Sequence, residues 1–308
     1  MIIENPSAIR KENLRIFIKG YDYNKQESVN FHLDPKDIDE LILTKPSTIS
    51  TEIYQLKPNL NILFFSKGNL IASVTPIDDL PKIMKNEKLF NELSKYKQKK
   101  LMWIFCKAVC SNRIKILFRL NETRNNNDVK KLLKEMSIFD KRLIKLKTRE
   151  ELMGTEGNIA KKFYEGLSKL SEVWKFEFKI RDRNSVDIIN CLMNFSHTIL
   201  RNKIKYRLIL NGLNPYHSFL HNNNRGQEYL TFDFAEFWIA YVDKLIFYSL
   251  EKGIIKKTDL NKNNLLNENA KNKIIDLINK RISNEIIDKK IKEFIGYLKR
   301  ENSFRWKV

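Results

Sequence analysis

The run Gly212-Leu213-Asn214-Pro215-Tyr216-His217-Ser218-Phe219-Leu220-His221 is followed shortly by Asp233-Phe234-Ala235-Glu236. A histidine therefore precedes two carboxylates that stand three residues apart. A third carboxylate, Glu156, lies upstream in Gly154-Thr155-Glu156-Gly157. One imidazole with several carboxylates is a donor set for a hard divalent cation such as magnesium or manganese.

Each of these residues also has a plainer reading. Glu156 shares a helical stripe with Ile159, Phe163, Gly166 and Leu170, so it projects with apolar side chains. A carboxylate on an inward face is costly unless it is paired or binds a metal. Glu156 could equally be an acidic residue at a helix start, where the dipole favours it. Asp233 and Glu236 are one helical turn apart and can face one point, or be first-turn acids. His217 and His221 are spaced i, i+4 like a zinc pair, but Pro215 argues against a regular helix there. His32 and His197 have no ligand neighbours in the sequence and are read as structural.

The surroundings of this acidic cluster are basic. Lys and Arg number 57 against 37 Asp and Glu, a formal charge of +20. Such a surface attracts polyanions and speeds encounter with nucleic acid. The alternative is lysine drift in an AT-rich genome, which the many Asn and Ile residues also fit. Candidate backbone contacts lie in Lys95-Tyr96-Lys97-Gln98-Lys99-Lys100, in the run from Arg201 through Lys203 to Arg207, and at Arg305 in the tail. An acidic pocket in a basic chain points to metal-assisted chemistry on a polyanion.

Three cysteines, Cys106, Cys110 and Cys191, are too few and too scattered for a zinc site. They read as small buried apolar residues of a protein in a reducing cytoplasm. The N-terminus has no signal-peptide pattern. The most apolar stretch, Phe234 to Leu250, carries Glu236, Asp243 and Lys244 and is too polar to span a bilayer. A membrane role is not expected.

The elements that must position the cluster divide into two kinds. Short β-rich runs bounded by Gly, Pro and Asn occur at 14–18, 29–33, 41–44, 61–65 and 70–74. A short helix is expected near 50–56. From Asp78-Asp79-Leu80-Pro81 onward the apolar period changes from two to 3.6. Helices are expected at about 128–146, 156–173, 185–200, 233–252 and 267–299, after an earlier helical stretch from Leu89 to Val109. The fold class is α+β: a small N-terminal β-sandwich domain over 1–77, a linker over 78–86, and a larger all-helical domain over 87–308.

Taken together, these segments resemble the CRISPR adaptation integrase and endonuclease family, Cas-one. The resemblance rests on four pieces in order between Gly154 and Glu236. They are Gly154-Thr155-Glu156-Gly157-Asn158-Ile159-Ala160 with Tyr164 downstream, Asp187-Ile188-Ile189-Asn190-Cys191-Leu192-Met193-Asn194, the block ending Phe219-Leu220-His221, and Leu230-Thr231-Phe232-Asp233-Phe234-Ala235-Glu236. The resemblance implies that Glu156, His221 and Glu236 are metal ligands for Mg2+ or Mn2+, and that Asp233 is a supporting acid of the catalytic group. It implies double-stranded DNA as substrate, both spacer precursor and repeat array. A homodimer built partly on the β domain, and assembly with the Cas-two protein, are further implications. The sequence departs from the family pattern at Asn222-Asn223-Asn224 and at Trp238, where relatives often carry arginine.

The implied reaction suits the residues. Joining a 3′-hydroxyl to a phosphodiester exchanges one phosphodiester for another, so no nucleotide-binding loop is needed, and no G-x-x-x-x-G-K-[ST] occurs. The competing readings are a metal-dependent nuclease on branched or repair DNA, an integrase of a related mobile element, and a basic scaffold without catalysis. A scaffold gains nothing from inward acids that repel phosphate.

Overall fold

A computed structural model describes residues 2–3, 6–22, 27–38, 40–43, 47–66, 69–74, 80–173, 176–219, 227–260 and 266–299. The chain packs as two units, 1–88 with 209–213, and 89–208 with 214–308.

The first unit is a sandwich of two four-stranded sheets. One has the order β1 (Ile2–Ile3), β5 (Glu40–Leu43), β7 (Asn61–Ser66), β8 (Asn69–Val74). The other has the order β4 (Glu27–Leu33), β3 (Arg15–Asp22), β2 (Pro6–Glu12), β6 (Thr48–Ile49). Ile9, Ile16 and Ile18 of one sheet share a core with Leu41, Leu43 and Ile62 of the other. Ile53, in the short helix α1 (Ile53–Leu56), joins that core.

The strand β2 was not expected from the sequence. Among its described side chains only Ile9 is buried, so its alternation is thin. It exists because Asn13 adopts φ 55° and turns the chain back in two residues, pairing Glu12 with Arg15. Asparagine tolerates that left-handed turn geometry.

The helix α2 (Leu80–Asn91) covers part of the expected linker; 75–79 lie outside the described residues. In the first unit, Lys82 Nζ donates to Leu210 O at 2.8 Å, and Asn86 Nδ2 donates to Asn211 O and Gly212 O. Gly212, at φ +73°, has Lys82 and Asn86 within 3.4 Å of where a Cβ would stand. Only glycine fits that backbone there.

The second unit is helical. It contains α3 (Lys95–Glu122), α4 (Asn127–Arg142), α5 (Arg149–Val173), α6 (Ile188–Leu210), α7 (Tyr229–Glu251), α8 (Glu268–Arg281) and α9 (Asn284–Leu298). Ser94, Asn126 and Asn267 cap α3, α4 and α8 with their side chains. The long α3 packs against α4, α5 and α7. At Gly166 of α5 an added Cβ would stand 2.7 Å from the Leu117 side chain, so the bare position lets α5 approach α3.

Several helix boundaries differ from expectation: α7 begins at Tyr229 rather than 233, which puts Asp233 and Glu236 beyond its first turn, and three others have a clear local cause. The first is α5, which begins at Arg149 rather than 156. Thr148 and Glu151 form a capping box: Glu151 N donates to Thr148 Oγ1, and Thr148 N donates to Glu151 Oε2. Glu156 is therefore two turns inside the helix, and the reading of it as a dipole-stabilised first-turn acid falls away. The second is α6, which continues to Leu210 because Leu200, Ile204 and Leu208 keep the buried stripe going through the basic run. Finally, the expected 267–299 helix is two helices, broken where Ser283 takes an extended conformation.

Candidate metal and nucleic-acid site

The helical unit contains a polar layer that runs across four helices. On α3 the stripe Cys106, Cys110, Arg113, Leu117, Leu120 is buried throughout, and Arg113 is its charged member. On α5 the layer contains Glu156 and Tyr164. On α6 it contains Asn190, Asn194, His197 and Arg201, spaced three and four apart on one face. On α7 it contains Asp233, Glu236 and Asp243, at the same kind of spacing.

Arg113 is the hub. Its side chain is 5% exposed. Nη1 donates to Glu156 Oε1, and Nη2 donates to Glu236 Oε2 at 2.7 Å. Two carboxylates expected to act together, from α5 and α7, thus meet at the two tips of one guanidinium. Their side chains are 20% and 23% exposed, so water reaches the carboxylates more readily than it reaches the arginine. Burial disfavours the charged guanidinium, but Glu156 and Glu236 outweigh it and raise the Arg113 pKa above its ordinary value. Arg113 Nε is buried without a hydrogen-bond partner.

The neighbours extend the pattern. His197 Nε2 and Asp243 Oδ1 lie 2.7 Å apart in the core, so His197 is a paired structural histidine. The Tyr164 hydroxyl is held well above its ordinary pKa, by burial first and then by the Asp243 carboxylate. Arg201 lies over the Phe232 ring, 5.1 Å from its centroid, and its Nε has no hydrogen-bond partner. Burial lowers its pKa; Arg183 and Arg181 act in the same direction, and Glu236 opposes them.

Asp233 is fully buried and accepts a 3.4 Å hydrogen bond from Phe219 N. Phe219 packs into a ring cluster with Phe105, Phe90 and Phe294. His217 stacks on Phe90 at 3.9 Å, and its N donates to Asn214 O in a turn. That turn rules out an i, i+4 helical zinc pair at His217. His221 lies outside the described residues, as does the Asn222-Asn223-Asn224 loop. Asp233 thus pins the chain two residues before His221.

The structure places the basic candidates differently from one another. Lys99 and Lys100 are exposed on α3. The Lys97 Nζ sits 5.5 Å from the Tyr297 ring centroid. Lys203 Nζ donates to Asn279 Oδ1 at 2.8 Å. Arg207 donates from Nε to Asp288 Oδ1 at 2.7 Å and from Nη2 to Asp288 Oδ2. Both partners in that pair are half-buried, and the fork commits Arg207 to a contact with α9. Arg305 lies outside the described residues. Trp238 is 3% exposed and belongs to the core, next to Phe237. Cys106 and Cys110 are buried as expected, whereas Cys191 is only half-buried.

Sequence reasoning did not single out Arg113 or Arg201 as members of the carboxylate cluster. For Arg113 the signal was present: an arginine at a core position of an otherwise apolar stripe.

A family model described as CRISPR associated protein Cas1 matches residues 1–280. The chain belongs to the Cas1 family. Among curated relatives, CRISPR-associated endonuclease Cas1 2 of Saccharolobus solfataricus is 25% identical over 284 residues, covering 90% of this chain and 81% of the relative. The CRISPR-associated endonuclease Cas1 of Clostridium perfringens is 30% identical over 158 residues, 49% of this chain and 48% of the relative. Among solved structures, a CAS1 protein from Thermotoga maritima superposes with TM-score 0.69 at 16% identity, covering 100% of this chain and 99% of that one. A casposase bound to integration product gives TM-score 0.73 at 19% identity, with 99% and 92% covered. At those identities the structures establish a shared Cas1 fold.

Among the described residues, no three His, Cys, Asp or Glu side chains converge as a metal site. Glu156 and Glu236 present hard oxygen donors to the Arg113 guanidinium, and that donor chemistry is also of the kind that suits magnesium or manganese. Each spends only one oxygen on Arg113. No described helix is long and apolar enough to cross a membrane.

Proposed function

We propose that this Cas1 family member is a metal-dependent DNA integrase and endonuclease of CRISPR adaptation, joining 3′-hydroxyl ends of captured DNA to a repeat array. The observation that carries this reading is the meeting of Glu156 and Glu236 at Arg113. Three inward charges gathered from three helices, with the negative sign in excess, are a poor way to build a core and a good way to hold a further cation. The curated relatives named endonucleases, and the fold shared with a casposase bound to integration product, support the same class of chemistry.

Glu156, Glu236 and His221 would hold a magnesium or manganese ion, with Asp233 fixing the chain that leads to His221. Such an ion supplies Lewis-acid stabilisation of crowded phosphate charge. In the joining step, the incoming 3′-oxygen forms a bond to phosphorus and the repeat's own 3′-oxygen leaves, so the count of phosphodiesters is unchanged. Arg201 is held beside Glu236 with an unused Nε–H, short of anionic partners, and would take a phosphate oxygen of the DNA. Lys97, Lys99, Lys100 and Lys203 would add backbone contacts, along with Arg305.

The β unit would supply the dimer contact. Its β8 is an edge strand whose Ile71 and Val74 are exposed, a kind of edge that proteins ordinarily cover. Two identical sites in such a dimer, assembled with the Cas-two protein, suit two strand-joining events a fixed distance apart. The fold also matches Cas6-RT-Cas1–Cas2 complexes, with TM-score 0.71 over 98% of this chain and 35% of the matched one.

The test uses purified protein, manganese, a supercoiled plasmid carrying a leader and repeat, and labelled duplex with free 3′-hydroxyls. Label transfer to the repeat is expected, and both His221→Ala and Glu156→Ala should abolish it while DNA binding survives. Nicking or branch cutting alone would replace this reading with a nuclease, and binding alone with a scaffold.

A further inference from the structure

We propose that Arg113 is a resident counter-cation of the two acids: it holds Glu156 and Glu236 together and keeps divalent-ion affinity low until DNA phosphate arrives. This rests on the metal-binding reading of those carboxylates.

The geometry has three parts. First, Arg113 reaches both acids at once, one through each Nη, and the acids come from helices that both pack on α3. Without a cation between them, two partly desolvated carboxylates held to one guanidinium would repel. Second, the guanidinium cannot withdraw. Its side chain is 5% exposed and sits in a stripe of buried Cys, Leu and Ile residues, and its charge stays put at any accessible pH. Third, the acids keep oxygens that Arg113 does not use.

The charges then decide the behaviour. One guanidinium and two carboxylates sum to −1. A divalent ion on the free oxygens takes the cluster to +1, with an arginine fixed close by. Repulsion between them in a partly dry site weakens ion binding. A phosphate of bound DNA cancels the excess. Ion occupancy and DNA occupancy are therefore coupled, each raising the other's affinity.

The experiment measures Mn2+ binding by electron paramagnetic resonance and the Mn2+-induced rise in thermal midpoint, on DNA-free protein. Wild type, Arg113→Met and Glu156→Gln are compared, and wild type is also measured with duplex DNA. Arg113→Met is expected to bind Mn2+ about tenfold or more tighter than wild type, and to gain a larger thermal shift from it. Duplex should tighten binding in wild type. If Glu156→Gln abolishes binding but Arg113→Met binds as wild type or more weakly, the counter-cation idea fails and the metal reading stands. If wild type binds no Mn2+ with or without DNA, the metal reading fails and this inference with it.

Should Arg113→Met not fold, labelled wild type decides, with the conservative Arg113→Lys used for assignment. With 15N-arginine label, the Arg113 guanidinium resonance, assigned by its loss in Arg113→Lys, should shift on Mg2+ addition. No shift at saturating Mg2+ would overturn the proposal, because the ion would then not share the carboxylates with Arg113.

Discussion

Two arginines in the helical unit look alike and do different things. Arg207 forks both of its donating nitrogens onto one carboxylate, Asp288. Arg113 splits its fork between two carboxylates on different helices and leaves negative charge over. Both clusters are largely shielded from water, with Arg207 and Asp288 at 13% and 17% exposure and Glu156 and Glu236 at 20% and 23%. Burial alone therefore does not separate a structural ion pair from a site. The charge balance separates them, along with oxygens left free to accept another partner.

The largest expected effect tests that distinction directly. Glu156→Gln should cut strand joining at least about 100-fold, since an ion's charge stabilisation is worth several kcal/mol, and chelation of divalent ions should do the same to wild type. Asp288→Asn should leave joining per folded molecule unchanged. Label-transfer rates corrected for folded fraction read both, and equal losses would erase the contrast.

Stability should order the other way for Arg207. Arg207→Met alone removes the fork on half-buried Asp288, at a cost of about 1–2 kcal/mol in urea unfolding. The double change Arg207→Met with Asp288→Leu should recover most of it, because a shielded ion pair is replaceable by apolar packing. Failure to recover would mean that the pair does more than close its own charges.

A third, smaller effect concerns DNA. Arg201→Ala should reduce the slope of log affinity against log salt by about one, as one phosphate contact is lost. Arg207→Ala should leave the slope unchanged. Fluorescence anisotropy from low to physiological salt measures both.

The smallest effect lies at the start of α5, in the first turn of the helix that carries Glu156. The Glu151 carboxyl is held below its ordinary pKa by bonds from Lys147 N and Thr148 N and by the Thr148 hydroxyl. A depressed folded pKa means stability present at neutral pH and lost as pH falls through that pKa. Glu151→Gln should therefore be slightly less stable than wild type at pH 7. The gap should close below about pH 4, the ordinary carboxylate range. A gap that persists in acid would show that the capping bonds do not depend on the charge.

Much of the fold was legible. The β-rich start and helical remainder followed from period and punctuation; Glu156 stood out on an apolar stripe, and Glu236 by its one-turn spacing from Asp233 and by the family resemblance. Some local signals were readable but passed over. The Thr148-x-x-Glu151 capping box marks the start of α5, and Ser283 marks the break between α8 and α9. The strand β2 was faint because one buried isoleucine carries its inward face. Arg207 looked like part of a phosphate-binding run, since nothing local announces that α9 brings Asp288 to it.

What the sequence determined by itself is which side chains share a face, because helical period and end caps act within a few residues. What only the tertiary structure decided is which cation those faces meet. Arg113 stands 43 residues from Glu156 and 123 from Glu236. Over such separations, pairing depends on which helices α3 packs between, and Coulomb attraction in a desolvated layer then holds whatever charges the packing has brought within reach.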